Sequence, residues 1–371
     1  MPDARVELEN TATGVRQETR TNATGLYVFP NLAPGIYRLS AEAAGFRRFE
    51  AGGIEAAAYR TVRQDVRFEL ASQAAEVTVT AAASPVVQSE TPGVGVQLDS
   101  RLILELPTNL RSVYNNAGDS GLIANLMPLT VPGVVQMGNG AYWMSPGAGP
   151  NGLRVKVDGI DTTFGNFGSP DPVSQPSMES VEEFTASIAG NRAEFSGLGA
   201  VTTVTRTGTN DLHGSLFWYG RNAALDARNP FLPARGFQNI HNYGATLSGP
   251  VRRNRTFFTA TADLIDGVRG YTFTSNVPTL AMRRGEFTGP VRDPLAGNAP
   301  FADNRIPPAR IAPEAARAQQ LLYPLPNFGP ETLAAGNYRA AFNGAEWHRL
   351  LEGRIDHNFP GAQSGFLRYQ Y

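Results

Sequence analysis

The chain has 371 residues, of which 42% are hydrophobic, carries a formal net charge of −1 and contains no cysteine. Its length accommodates two or three domains with real cores. The near-neutral charge gives no global pull toward nucleic acid, and the lack of cysteine excludes disulfides, thiolate metal sites and cysteine nucleophiles. Lys156 is the single lysine, so the positive charge is almost all arginine, which reads as the base composition of the source genome rather than as a binding site. No stretch approaches the roughly 18 consecutive apolar residues of a spanning helix. The best segment, 121–135, is broken by Pro128 and Pro132, which leaves a β-barrel as the only way into a bilayer. Met1-Pro2-Asp3 lacks the basic and apolar regions of a signal peptide, so an exported protein is expected to have lost its start here.

In the first seventy or so residues, short runs alternate with turn residues: ARVELEN, QETRTN, GLYVFPNL, GIYRLSAEA and TVRQDVRFEL. Val6 and Leu8 alternate with Arg5, Glu7 and Glu9, and Val66, Phe68 and Leu70 alternate with Asp65, Arg67 and Glu69. That is the spacing of half-buried antiparallel strands, and it predicts a small β-sandwich. The stretch GLYVFPNLAPGIYRLSAEAAGF, with Gly25, Tyr27, Leu32, Pro34, Gly35, Tyr37 and Gly45-Phe46, resembles the carboxypeptidase regulatory-like module. This transthyretin-like sandwich has no catalysis of its own, and the resemblance covers residues 1–70. Tyr27 and Tyr37 are expected as plain core aromatics.

Residues 71–95 are rich in Ala, Ser, Thr and Pro and carry one β-prone string, Glu76-Val77-Thr78-Val79-Thr80-Ala81. Such a string can join a partner's sheet through its backbone. It resembles a TonB box, which implies that TonB binds Glu76, Val77, Thr78, Val79, Thr80 and Ala81; the other reading is a last strand of the sandwich.

Residues 96–209 change character. Asp99-Ser100 starts a short amphipathic helix with Leu102, Ile103 and Leu106 at helical spacing and Pro107 as its stop. NGLRVKVDGID reads as a strand entering the Asp158-Gly159 turn, and the run from Met178 to Asn210 reads as a helix followed by a strand. Gly197 and Gly199 lack a third glycine at dinucleotide spacing and precede a strand, which excludes a phosphate cradle. None of His213, His241, His348 and His357 opens an H-x-x-E pair, and His348 with Glu352 lacks a third ligand. No G-x-S-x-G elbow is present. Asp158 with Asp161, and Glu182 with Glu183, read as turn formers and solvated faces. The expectation is therefore a non-enzyme without cofactor or metal.

Residues 210–371 contain HGSLFWYGRN, HNYGATLSGPV, RTFFTATADLID, WHRLLEGRIDHNF and SGFLRYQY. Membrane barrel strands run about nine to eleven residues and gather aromatics at both interfaces. In HGSLFWYGRN, Leu216 and Trp218 are placed toward lipid and His213 and Ser215 toward the lumen, with Tyr219 closing the girdle. TFFTATADL alternates less cleanly. The Pro-rich segment between is expected as a long extracellular loop with one helix over Pro313 to Leu322.

KVDGID, ESVEEF, AEFSGLGAVTTVTRTGTNDLHGSLFWYGRN, YGATLSGPV, RTFFTATADLIDGVRG, RIPPARI and EGRIDHNF, in this order, resemble the Oar-like branch of TonB-dependent outer-membrane receptors. The resemblance implies a mostly β chain in four parts: a regulatory sandwich (1–70), a linker with the TonB box (71–95), an α+β plug (96–209) and the first strands of an incomplete transmembrane β-barrel of about 22 strands (210–371). It also implies the Gram-negative outer membrane as location, and as partners TonB, outer-membrane lipid and a large scarce ligand of the carbohydrate or metal-chelate class, imported by energised plug remodelling. Tyr142, Trp143, Phe164 and Phe167, in Gly and Pro-rich plug loops, are the candidate ligand contacts, with buried loop anchors as the alternative use. The rival functions are a non-transporting adhesion or matrix-assembly protein and a soluble carbohydrate-binding protein. Sugar-stacking aromatics on one sandwich face would favour the latter, yet Tyr27, Phe29 and Tyr37 sit in core-like alternation.

Overall fold

A computed structural model describes residues 1–58, 61–70, 80–81, 94–106, 126, 130–131, 135–137, 142–144, 153–164, 169–170, 174–189, 199–228, 235–330, 335–360 and 363–371. The chain forms two compact units, one of residues 1–220, 241–266 and 347–371, the other of 221–240 and 267–346.

The first unit opens with a five-stranded sheet of β1 (Arg5–Asn10), β2 (Arg16–Arg20), β3 (Gly35–Glu42), β4 (Phe49–Ala56) and β5 (Thr80–Ala81), in the order β2-β1-β3-β4-β5. Its inward face carries Val6, Leu8, Tyr37, Leu39, Ala41, Phe49, Ala51, Ile54 and Ala56. The expected second sheet does not form among the described residues. Tyr27, Phe29, Leu32, Val62, Val66 and Phe68 cover the core from extended segments without a ladder, pinned by the Phe46–Leu70 bridge and by the Tyr27 hydroxyl, which donates to the Gln64 carbonyl at 2.5 Å. Strand β4 escapes simple alternation because Gly52-Gly53 shifts the register: Leu39 faces Ala51 while Tyr37 faces Ile54, with Gly53 at φ 72°. The bulge brings both Phe49-x-Ala51 and Ile54-x-Ala56 to one face.

A central sheet follows, made of β6 (Val94–Asp99), β9 (Leu153–Val157), β10 (Ile160–Asp161), β13 (Val181–Ala189) and β14 (Gly199–Thr205) in the order β10-β9-β14-β13-β6. The short pairs β7 (Val135–Met137) with β8 (Tyr142–Met144), and β11 (Thr163–Phe164) with β12 (Ser169–Pro170), lie beside it in sequence. Helix α1 (Ser100–Glu105) starts as expected, with the Asp99 carboxylate accepting from the Leu102 amide at 2.8 Å. The second expected helix is instead one 3₁₀ turn, Met178–Ser180, leading into β13. Val181, Phe184 and Ala186 need strand spacing to reach the core with Ile103, Val155 and Val201, and that tertiary demand overrides local helical pattern. Truncating a wholly buried side chain such as Phe184 costs roughly 3–5 kcal/mol.

The C-terminal sheet consists of β15 (His213–Asn222), β16 (Gln238–Arg252), β17 (Thr256–Ser275), β20 (Tyr338–Phe359) and β21 (Gln363–Gln370), each paired with the next. It is open, with β15 and β21 at its edges. Three of these strands have 15, 20 and 22 residues, longer than the about nine to eleven that a bilayer crossing needs. Within the first unit the two faces differ. Leu216, Trp218, Leu247, Val251, Trp347, Leu351, Ile355 and Leu367 are exposed on one face. Thr259, Thr261 and Asp263 of β17, with Glu352 of β20, are buried on the other. The outward side of β17 has Phe258, Ala260, Ala262 and Leu264, and Phe257 is buried inward beside Thr259, Thr261 and Asp263, so TFFTATADL alternates in burial but not cleanly in polarity.

The three adjacent aromatics of β15 divide the same way. Trp218 is 64% exposed. Phe217 and Tyr219 point to the other face, stacked at 5.8 Å, with Phe217 lying where a Cβ on Gly244 would come within 2.5 Å of its ring. Tyr219 thus leaves the expected girdle: odd-numbered residues of this strand face inward, and its hydroxyl donates to Glu179 at 3.0 Å.

The second unit is built on the connections. Between β17 and β20 lie α2 (Leu280–Arg283), the small hairpin of β18 (Arg292–Asp293) and β19 (Ala299–Pro300), and α3 (Pro313–Leu322), the last with the bounds the sequence suggests and proline at its first position. Arg310 grips Asp293 through two bonds of 2.8 Å, which holds the Asp293 carboxyl below its ordinary range. Asn337, fully buried, exchanges two hydrogen bonds with the Val277 backbone and closes the base of the connection.

Burial pushes the Tyr27 hydroxyl up to about 12, with the charge of Asp65 adding to it. An unfolded tyrosine ionises near ~10, so the native state holds the proton longer. The stabilisation is complete below that pH and is lost as pH rises toward the folded value. Tyr27→Phe is expected to cost about 1 kcal/mol at neutral pH by deleting the bond to Gln64, and to flatten the alkaline fall in denaturation midpoint. A midpoint-against-pH series on both proteins checks this, and an unchanged alkaline slope contradicts it.

Candidate functional site

The strongest concentration of buried polar chemistry lies in the first unit, where the central sheet meets the inward face of β17, β20 and β21. Asp158 and Gly159 form the two-residue turn between β9 and β10, at φ 50° and 84°, the left-handed pair that an Asp-Gly hairpin favours. The turn aims the Asp158 carboxylate at Thr205, the last residue of β14, whose amide and hydroxyl donate to it at 2.8 and 2.9 Å. Arg354 adds a third bond at 3.0 Å, also reaching the Thr205 hydroxyl at 2.7 Å.

Period-two geometry explains how the other charges converge. On β20 every second residue points inward, which aligns Glu352, Arg354 and Asp356, while on β21 the same rule aligns Arg368 and Gln370. The register sets Arg354 directly opposite Arg368, an arrangement that repels unless acids intervene. They do. Arg354 pairs with Asp356 at 2.8 Å as well as with Asp158, its guanidinium lying 4.4 Å over the Phe366 ring. Arg368 pairs with Glu352 at 2.8 Å and stands 3.9 Å from Asp158. The side chains of Asp158 and Glu352 are only 4% and 5% exposed, so the pairing acts with little solvent screening.

The network continues through the 3₁₀ turn. The Ser177 amide donates to Glu352 at 3.2 Å, and its hydroxyl donates to Asp263 at 2.6 Å, where Asn242 donates as well. Gln370 donates to the Gln175 carbonyl at 2.8 Å. Thr259 and Thr261 line a small polar cavity with Ser180, Thr205, Arg354 and Arg368. The arrangement is a latch of charge-assisted bonds between one sheet and another, with the Ser177 and Thr205 hydroxyls taken up as donors to Asp263 and Asp158.

Of the residues singled out by sequence, Thr80 and Ala81 form β5, while Glu76, Val77, Thr78 and Val79 lie outside the described residues. Tyr142 and Trp143 belong to β8, opposite Met137 and Gln136, and Phe164 belongs to β11, opposite Ser169. Phe167 lies outside the described residues. Asp158 is the turn former it was expected to be, yet its carboxylate faces no solvent. Glu352, read beside His348 as an incomplete ligand pair, has Arg368 as its partner. The latch was missed although Glu352-x-Arg354-x-Asp356 and Arg368-x-Gln370 stand at strand spacing. Three ionisable groups on the same face of a barrel strand are the available signal.

Comparison with known proteins fits this geometry. Residues 204–371 match the outer membrane beta barrel domain, and residues 1–70 match the carboxypeptidase regulatory-like domain. The TonB-dependent transporter Oar of Myxococcus xanthus is 28% identical over 256 residues, covering 66% of this chain. The chain spans 23% of the length of that relative. The relative is named as a transporter. An exposed apolar face opposite a face with buried polar residues is in keeping with strands of an outer membrane beta barrel. The matches indicate a protein of the Gram-negative outer membrane that is similar to the TonB-dependent transporter Oar.

Proposed function

We propose that this chain carries the gate of an energised outer-membrane transporter. In this reading residues 1–70 are a regulatory domain, 71–95 a linker with the TonB box at Glu76 to Ala81, 96–209 a plug, and 210–371 the first strands of a barrel of about 22 strands that surrounds it. The ligand is large and scarce, of the carbohydrate or metal-chelate class, and meets the plug through Tyr142, Trp143, Phe164 and Phe167. Binding presents the box, TonB adds it as a strand, and the pull remodels the plug.

The observation that carries this reading is the ion network of Asp158, Arg354, Arg368 and Glu352. A gate has to be sealed at rest and has to yield under load. Charge-assisted bonds suit both needs, because they are directional, lose strength within a short displacement, and regain it when water fills the gap they leave. An apolar contact of equal area would reopen only by exposing hydrocarbon.

Two sets of variants test the two ends of the mechanism in the full-length protein. Arg354→Met strands Asp158 and Asp356 and is expected to destabilise the central sheet by roughly 3–5 kcal/mol, read as faster protease cleavage within 96–209. Arg354→Met with Asp158→Asn is expected to lose less than the sum of the single changes, and strict additivity contradicts a shared latch. At the other end, Val79→Pro removes a backbone donor and fixes φ, whereas Val79→Ala leaves the backbone intact. Proline is expected to abolish TonB crosslinking and uptake while ligand binding persists, and alanine to be nearly silent. Normal crosslinking with proline in place sinks the TonB-box assignment.

A further inference from the structure

Two hydroxyl groups beside the latch take no part in its bonds. Thr259 and Thr261 of β17 are 7% and 4% exposed. Both line the small polar cavity with Glu352, Arg354 and Arg368, and neither hydroxyl has a hydrogen-bonding partner among the described residues. Asp263, the next residue on the same face, accepts from Ser177 and Asn242 and needs nothing more. Buried polar groups are nearly always bonded, to protein or to ordered water, because an unmet bond is destabilising. We propose that the cavity is a binding site for water, and that this water ties the two threonines of β17 into the latch.

Charge, spacing and bonding capacity select water over an ion. The arginines at the cavity are already matched: Arg354 by Asp158 and Asp356, Arg368 by Glu352, and Arg206 by Glu182 at 3.8 Å. No uncompensated positive charge is left to hold an anion, and the same arginines repel a metal cation. Residues two apart on one strand face stand about 6.6 Å from each other, close to two hydrogen bonds end to end. A molecule seated between Thr259 and Thr261 therefore reaches both. Water donates and accepts, as a threonine hydroxyl does, so it meets the bonds of both side chains and those of the charged groups beyond them.

The role of this water rests on the gate reading. When the central sheet moves off with Asp158 and Thr205, Arg354 loses the partners it has there. Water already held by β17 supplies replacements at once, so the latch opens without passing through a dry, unpaired state.

Structure determination of the full-length protein, at a resolution that shows water and in chloride and bromide buffers in turn, tests the site. Density within hydrogen-bonding distance of the Thr259 or Thr261 hydroxyl, without anomalous signal in bromide, is expected. A bromide signal there assigns the site to an anion and overturns the proposal, as does a cavity without density in a map that shows water at other buried positions. Thr259→Val with Thr261→Val keeps the shape of both side chains and removes the hydroxyls. Where these bind water, protease cleavage within 96–209 should be about fivefold faster; cleavage as slow as in the parent, or slower, shows that the hydroxyls bond nothing. Should the double variant not fold, the map of the unaltered protein decides. Uptake should slow in the valine variant, and normal uptake at equal protein level removes the role in opening. Failure of the gate reading itself shows elsewhere, as strict additivity of Arg354→Met and Asp158→Asn, whatever density the cavity holds.

Discussion

Arg354 and Arg368 face each other across neighbouring strands inside the protein, and two like charges in that position cannot stand without acids between them. Asp356 and Glu352 come from the same strand as Arg354, but Asp158 comes from a turn nearly two hundred residues earlier in the chain. The repulsion within the C-terminal sheet is thus relieved by a residue of the central sheet. Each arginine already has an acid of β20 beside it, and Asp158 adds the bond to the central sheet; without the arginines Asp158 is a buried charge left, among the described residues, to Thr205, so each part needs the other. This mutual need keeps the central sheet in one position, and it does so with bonds that break sharply.

The same sheet has to satisfy two solvents. Its outward residues, among them Leu216, Trp218, Leu351 and Ile355, are exposed hydrocarbon that water would disfavour and lipid accepts. Its inward residues include threonines, carboxylates, arginines and an asparagine that lipid would reject, beside buried apolar residues such as Ile240 and Phe257. Alternation at period two allows both demands on one strand, and it sorts Phe217 and Tyr219 from Trp218 within three consecutive positions. A Tyr hydroxyl can then bond Glu179 while its neighbour's indole faces out.

The N-terminal sheet solves its packing differently. Its core is closed by one layer of strands and by extended segments that contribute side chains without pairing, so β4 keeps an edge that no strand of residues 1–70 fills. Unfilled edges invite strands. Here the occupant is β5, with Thr80 and Ala81 beside Glu50 and Ala51.

Wherever one residue type in a periodic position was enough, the sequence was legible. Asp99 with Leu102 and Ile103 located α1, Asp158-Gly159 located a hairpin, Pro313 opened α3, and HGSLFWYGRN marked a barrel strand. Legibility failed where the outcome depended on a partner distant in the chain. Val181 to Ala189 carries no strong strand signature, and it is a strand because β6 and β14 pair with it on both sides. The segment around Val62 and Phe68 alternates as a strand should and is not one, since no ladder partner is offered to it among the described residues. Asp158 reads equally well as a solvated turn residue, and only the approach of Arg354 and Arg368 makes it the centre of the site. By itself, the sequence determined the alternation that puts successive strand residues on opposite faces, because that is set by local periodicity, whereas the inward turn of Tyr219 and the burial of Asp158 were not in it. The tertiary structure alone decided which charges meet, because pairing energy depends on distances between segments that no local pattern encodes.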